Sequence, residues 1–171
     1  MAKIVTYPSD ILKTNCTPVE PGSSVAHHLQ RELRATMHAG RAQGIGLAAP
    51  QIGITLRAFA MDTRFLKLKC PDVFFNPEVI EESPEVDVEE ESCLSFPPKV
   101  KVRVQRRKRV RVKACDVNGK DFEIDLVGLA ARCALHEIDH LNGKTILDHA
   151  GKKEKNRILG EIAVDIKRGR K

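Results

Sequence analysis

The tightest constraint on this chain lies at His136-Glu137-Ile138-Asp139-His140. Two histidines four residues apart share a face only if the segment is an α-helix, where positions i and i+4 differ by about 40° around the axis. The sequence around them agrees. Leu129, Ala130, Ala131, Cys133, Ala134 and Leu135 precede the pair without proline or glycine, and Gly128 and Gly143 bracket the run. Both imidazoles can then address one metal ion, and the Glu137 carboxylate reaches a water beside it. An ordinary helix with two histidines on one face fits the same five residues, so the remaining chain has to decide.

With 171 residues, the expectation is one domain over 1–171 with a real hydrophobic core. No run of about 18 apolar residues occurs, so no transmembrane helix and no membrane partner is expected. The N-terminus lacks the apolar stretch of a signal peptide, which makes a cytoplasmic location the default. An organellar protein that has lost its transit peptide would read the same way. Five cysteines, an odd number without close pairing, argue against a disulfide framework. The net charge of +6 is uneven: Glu81 to Glu91 is acidic, and Lys99 to Lys113 holds nine Lys or Arg and no acid. Such a basic stretch suits a polyanion or a solvated strand face equally well.

Residues 1–22 carry prolines at a density that opposes helix and predict an irregular arm. Ser23 or Ser24 can cap a helix along which Val25, Leu29, Leu33 and Met37 recur, with Gly40 as its stop. His27, His28 and His38 lie on it without metal spacing. Gly44 to Gln51 is rich in small residues that permit close backbone approach, and Gln51 alone there offers both a donor and an acceptor. Leu56–Asp62 and Val73–Pro77 read as strands, and Glu78 to Glu90 as a further exposed strand or hairpin. Valines at 100, 102, 104, 110 and 112 keep period two, predicting a strand pair with one apolar and one basic face. Asn118-Gly119 marks a turn before a strand over Phe122–Leu126. A basic amphipathic helix over about 152–168 closes the chain, weakened by Gly160. The fold class predicted is α+β: short antiparallel strands packed around a central helix bearing the two histidines, with an N-terminal and a C-terminal helix.

A catalytic metal site usually takes three protein ligands and keeps one position open. A third histidine six residues after His140 would mark one protease class, but that position is Ile146. Glu161, 21 residues after His140, fits a metallopeptidase that uses a glutamate ligand. Cys93, in a loop that ends at Pro97-Pro98, offers a thiolate, and a buried apolar role for it fits as well.

Three separated stretches bear on this choice: Gly44-Ile45-Gly46-Leu47-Ala48-Ala49-Pro50-Gln51, Glu91-Ser92-Cys93-Leu94-Ser95 and His136-Glu137-Ile138-Asp139-His140. In order and separation they resemble the three motifs of the peptide deformylase family. Tyr7-Pro8, Thr17-Pro18-Val19 and Asp116-Val117-Asn118-Gly119 extend the resemblance over nearly the whole chain. It implies Cys93, His136 and His140 as metal ligands and Glu137 as general acid/base. It implies Gln51 and the Leu94 N–H as oxyanion donors. Gly46, with Glu91 and Ser92, would contact the substrate backbone. Ile45, Leu129 and Cys133 would line a methionine pocket, and Arg106 would lie near the substrate strand. Ser92 stands where the family usually has glycine, and Leu135 where it often has glutamine. Neither departure removes a ligand or Glu137.

The implied reaction is hydrolysis of the formyl group from N-terminal formylmethionine of nascent polypeptides, with release of formate. A metal-activated water attacks the formyl carbon and Glu137 manages the proton. The resemblance implies one divalent ion, Fe(II) physiologically, with Zn(II) or Ni(II) as alternatives in the isolated protein. It also suggests ribosome contact through the basic C-terminal helix, by Lys152, Lys153, Lys155, Arg157, Lys167, Arg168, Arg170 and Lys171. A basic RNA-binding domain with a closed structural metal is the non-enzymatic rival.

Overall fold

The computed structural model describes residues 2–39, 44–167 and 169. Gly40, the expected helix stop, and Arg168, Arg170 and Lys171 of the basic tail lie outside the described residues. Three helices occur among the described residues, α1 (Ser24–Met37), α2 (Leu129–Leu141) and α3 (Lys152–Lys167). Seven strands accompany them: β1 (Gly46–Ala48), β2 (Ala58–Met61), β3 (Val73–Glu82), β4 (Val86–Glu91), β5 (Val102–Arg107), β6 (Arg109–Cys115) and β7 (Asp121–Val127). The mix of helices and antiparallel strands is the expected α+β architecture.

A five-stranded antiparallel sheet in the order β1-β2-β3-β6-β7 separates two cores. Alternation along the strands decides which side chain goes where. Phe59 and Met61 of β2 and Phe74 of β3 join Val110, Val112 and Leu126 against α2. Ala58, Ala60, Val73 and Phe75 point to the other face, against Leu29, Leu33 and Met37 of α1. Phe59 and Phe74 stack at 4.8 Å. Each is fully buried, a burial that stabilises by about 1.5–3 kcal/mol. Ser23 caps α1 by accepting from the Ala26 N–H at 3.1 Å, a cap that contributes about 1 kcal/mol. Val25, expected on the apolar stripe, is 53% exposed, and Ala26 takes the inward position. His28 and His38 are exposed and His27 is half-buried, and among the described residues none of them belongs to a metal-spaced group.

The period-two valines form two strands, but not a pair. β5 pairs with β4 in a separate two-stranded sheet, while β6 pairs with β3 and β7. The chain crosses between the sheets at Lys108, whose N–H bonds the Glu85 carbonyl. Nor is the basic face uniform, because β5 turns Val102, Val104 and Arg106 inward together. Glu78–Glu82 continues β3 rather than starting a hairpin. The register slips between Phe75 and Glu78, around Pro77, where the ladder lacks an N–H.

The small sheet packs Val102 and Val104 on Ile158 and Ile162 of α3, with Phe96, Ile146 and Leu147. Ile166, one turn beyond Ile162 on the same face of α3, is 56% exposed. The helix α2 lies between the two sheets. Its C-terminal end meets the N-terminal arm, where the Cys16 N–H bonds the Leu141 carbonyl at 2.8 Å and Asn15 bridges to Asn142. Gly143 has φ +68°, and a Cβ there would lie 2.5 Å from the Lys13 carbonyl oxygen. Only glycine fits that approach.

Candidate metal centre

The α2 helix carries His136 and His140 on one face, with ring centroids 5.1 Å apart. Opposite them is the loop that follows β4. It brings the Cys93 sulfur to 3.2 Å from His140 Nε2. One donor atom each from Cys93, His136 and His140 lie within 4.8 Å of one another. Bonds of about 2.3 Å to sulfur and about 2.0–2.1 Å to nitrogen put tetrahedral ligands about 3.5 Å apart. The donor set therefore fits one divalent ion. Glu161, the rival ligand, is not in this cluster and bonds Arg157 on α3 at 2.6 Å.

Electrostatics favour the thiolate, the ligand form, at Cys93. Burial raises the Cys93 thiol, but the adjacent His140 and His136 rings outweigh it and bring the pKa down to about 5. By contrast, burial leaves Cys16 and Cys70 at about 11. Burial lowers His136, while its bonds to Cys93 and Glu91 raise it further, for a net rise in the metal-free site.

The imidazole of His136 is oriented from behind. Its Nδ1 meets Glu91 Oε2 at 2.9 Å, leaving Nε2 for the cluster. Both Glu91 oxygens are engaged. Arg106 reaches them through Nε at 2.9 Å and Nη2 at 3.0 Å, and Arg132 Nη1 reaches Oε1 at 2.8 Å. Arg106 goes on to Asp139 Oδ2 at 2.5 Å, which His149 Nε2 also meets at 2.7 Å. The Glu91 carboxylate is therefore held by protein groups, buried, although the residue also lines the cavity beside the site. Arg106, expected near the substrate strand, is likewise buried and does not line the cavity beside the site.

That cavity, about 1010 Å³, is lined by Ile45, Gly46, Gln51, Ser92, Cys93, Leu94, Leu129, Cys133, His136 and Glu137, among others. Glu137 is buried, and no described group bonds its Oε2. Burial raises its pKa, the two histidine rings oppose this, and the net result is about 7. A Cβ at Gly46 would collide with Glu137 Oε1 and lie 2.8 Å from Cys133 Sγ. Glycine at 46 is what lets β1 run against α2 here. The Gln51 amide is fixed, its Oε1 accepting from the Ala48 N–H at 2.8 Å. Its Nε2 points at Cys93 Sγ (3.4 Å) and Ser95 Oγ (3.2 Å). Among the described residues nothing accepts from the Leu94 N–H.

The sequence reading missed Arg132, Asp139, Ser95 and His149. For Arg132 a signal existed: a lone charge in an apolar helical run, four residues before His136.

Comparison with known proteins gives a consistent result. Residues 1–156 match the family model described as polypeptide deformylase. A peptide deformylase of Rhodopseudomonas palustris is 38% identical, over 99% of this chain and 97% of its own length. A crystal structure of a peptide deformylase from Ehrlichia chaffeensis superposes with a TM-score of 0.86 at 30% identity, over 98% of each chain. One from Legionella pneumophila gives 0.84 at 36% identity, over 100% of this chain and 99% of that one.

Proposed function

The chain belongs to the polypeptide deformylase family, and on that premise we propose that Cys93, His136 and His140 hold one divalent ion beside Glu137, the general acid/base. The protein is an enzyme that removes the formyl group from N-terminal formylmethionine. The observation that carries the residue assignment is the convergence of three donor atoms within 4.8 Å next to a buried carboxylate with an unpartnered oxygen.

The ion, when bound, supplies Lewis acidity that polarises the formyl oxygen and acidifies water. The rest falls to the chain. Glu137 takes the proton of the attacking water and hands it to the departing nitrogen. In the metal-free site, burial holds the Glu137 carboxyl above the ordinary carboxylate range. Gln51 Nε2 and the Leu94 N–H donate to the oxygen as it gains charge, and each such donor is worth about 10²–10³ in turnover. Ile45, Leu129 and Cys133 receive the methionine side chain, while Gly46 and Ser92 meet the peptide backbone. Glu91 and Arg106 act from behind, through His136 and Asp139. Residues 1–171 work as one catalytic domain.

The thiolate softens the donor set, and we assign Fe(II) as the physiological ion, with Zn(II) or Ni(II) able to occupy the site. Protein prepared anaerobically with Fe(II) should release formate from a formyl-Met peptide. Glu137→Ala should keep its metal and lose turnover. Cys93→Ser should lose both, and Glu161→Gln neither. No formate from the Fe(II) protein refutes the reading.

No described helix is long and apolar enough to cross a membrane, and we place the enzyme in the cytoplasm, where nascent chains emerge. Lys152, Lys153, Arg157 and Lys167 are exposed on α3 and would meet ribosomal RNA phosphates. Binding to ribosomes should then fall steeply with salt. Unchanged binding after replacing Lys152, Lys153 and Arg157 by Glu would refute this contact.

A further inference from the structure

We propose that Arg132 is a positioning residue that clamps the Cys93-bearing strand end to the histidine-bearing helix. It sits one helical turn before His136, on the cavity-facing side of α2 with Leu129 and Cys133. Its side chain is only 10% exposed, although it carries a full charge. A buried guanidinium persists only where its N–H groups are met, and here they are. Nη1 donates to Glu91 Oε1 at 2.8 Å and to the Val104 carbonyl at 2.9 Å. Nη2 donates to the Asp87 carboxylate.

These contacts span both strands of the small sheet. Asp87 and Glu91 belong to β4, which runs directly into Cys93, and Val104 belongs to β5. One side chain of α2 therefore holds the sheet that presents the sulfur. It also holds Glu91, the group that aims His136. Arg106 grips the same carboxylate from β5 and continues to Asp139, nearer His140. The two arginines brace Glu91 from either side of His136, Arg132 from one turn before it and Arg106 through its bond to Asp139 beyond it. With Arg132 gone, Arg106 and His136 alone would hold Glu91, and β4 would lose its tie to α2 at Asp87. Partners behind a ligating histidine typically contribute about 10–100-fold to metal affinity.

The inference rests on the assignment of Cys93, His136 and His140 as ligands. The test uses the full chain and Co(II), whose thiolate charge-transfer band reports the Cys93 bond, in competition with a chelator. Arg132→Met keeps the aliphatic stem against the cavity. It should weaken Co(II) binding about tenfold and lower kcat with KM little changed. Asp87→Asn, at a partly exposed position outside the cavity lining, should weaken Co(II) binding about threefold and add nothing further in the Arg132→Met background. Arg132→Lys should recover part of the loss. Co(II) affinity within twofold of the wild type in both Arg132→Met and Asp87→Asn overturns the proposal. Formate release by the wild type is scored separately. If it is absent while the Co(II) losses appear, the deformylase assignment fails and the clamp stands.

Discussion

Replacing Glu91 by glutamine should be far more damaging than its size suggests. Glutamine has the same shape but turns one oxygen into an NH2 group. Oε1 accepts from Arg106 Nε and Arg132 Nη1, while Oε2 accepts from Arg106 Nη2 and faces His136 Nδ1. Whichever way the amide flips, its NH2 meets two donors. Two buried guanidiniums also lose their shared counter-charge. Removing one partner of a buried ionic group destabilises by about 3–5 kcal/mol. For a chain of this length each kcal/mol lowers Tm by about 2–4 °C, so the metal-free variant should melt about 6–20 °C lower by calorimetry at pH 7. The pH dependence gives a second reading. Burial raises the Glu91 carboxyl, but its His136 and Arg106 partners outweigh this and hold it well below the ordinary 4.5. Its contribution is therefore fully present above pH 4.5 and lost as pH falls through the depressed value. Glu91→Gln should remove this part of the acid destabilisation. A Tm within about 2 °C of the wild type, with an unchanged acid limb, would refute the reasoning.

Glu137 has the opposite sign. Its carboxyl is raised from 4.5 to about 7, first by burial, so the metal-free protein loses stability as pH rises across that window, by about 3 kcal/mol. Glu137→Gln should therefore raise the metal-free Tm at pH 8 while cutting formate release by about 10²–10⁴; an unchanged Tm would count against the buried, unpaired carboxylate. Iodoacetamide at pH 7 should label Cys93 in the metal-free protein ahead of Cys16 and Cys70, because its pKa of about 5 leaves it as thiolate and theirs of about 11 do not. Peptide mass mapping reads this, and bound metal should protect Cys93. Gly46→Ala should displace Glu137 or part β1 from α2, at a cost of about 1–3 kcal/mol, and kcat/KM should fall at least tenfold; near-normal turnover would contradict the tight approach.

What sequence revealed and concealed follows from the range of the forces involved. The helix with His136 and His140 was legible because ligand spacing and helical period coincide within five residues. The approach of Cys93, 43 residues earlier, is a long-range packing result, and only motif resemblance pointed to it. Strand positions were legible from alternation, but pairing was not. The valines of β5 and β6 carry the same period whether they join each other or, as here, different sheets on either side of Lys108. The inward turn of Arg106 was hidden for a related reason: alternation put it on the apolar face of β5, and its charge argued against that until Glu91 and Asp139 supplied partners. Arg132 broke the apolar pattern of its helix visibly, yet nothing local indicated which carboxylates would meet it.

The junction of the N-terminal arm with Gly143 has a practical consequence for anyone shortening or tagging this chain. The arm lies across the exit of the helix that ends at Leu141, one residue after His140, where the Leu141 carbonyl holds the Cys16 N–H. The arm up to Cys16 thus buttresses the end of the helix that carries His140. Trimming it, or placing a side chain at Gly143 that pushes Lys13 away, should loosen metal at a site whose histidines lie more than a hundred residues further along the chain.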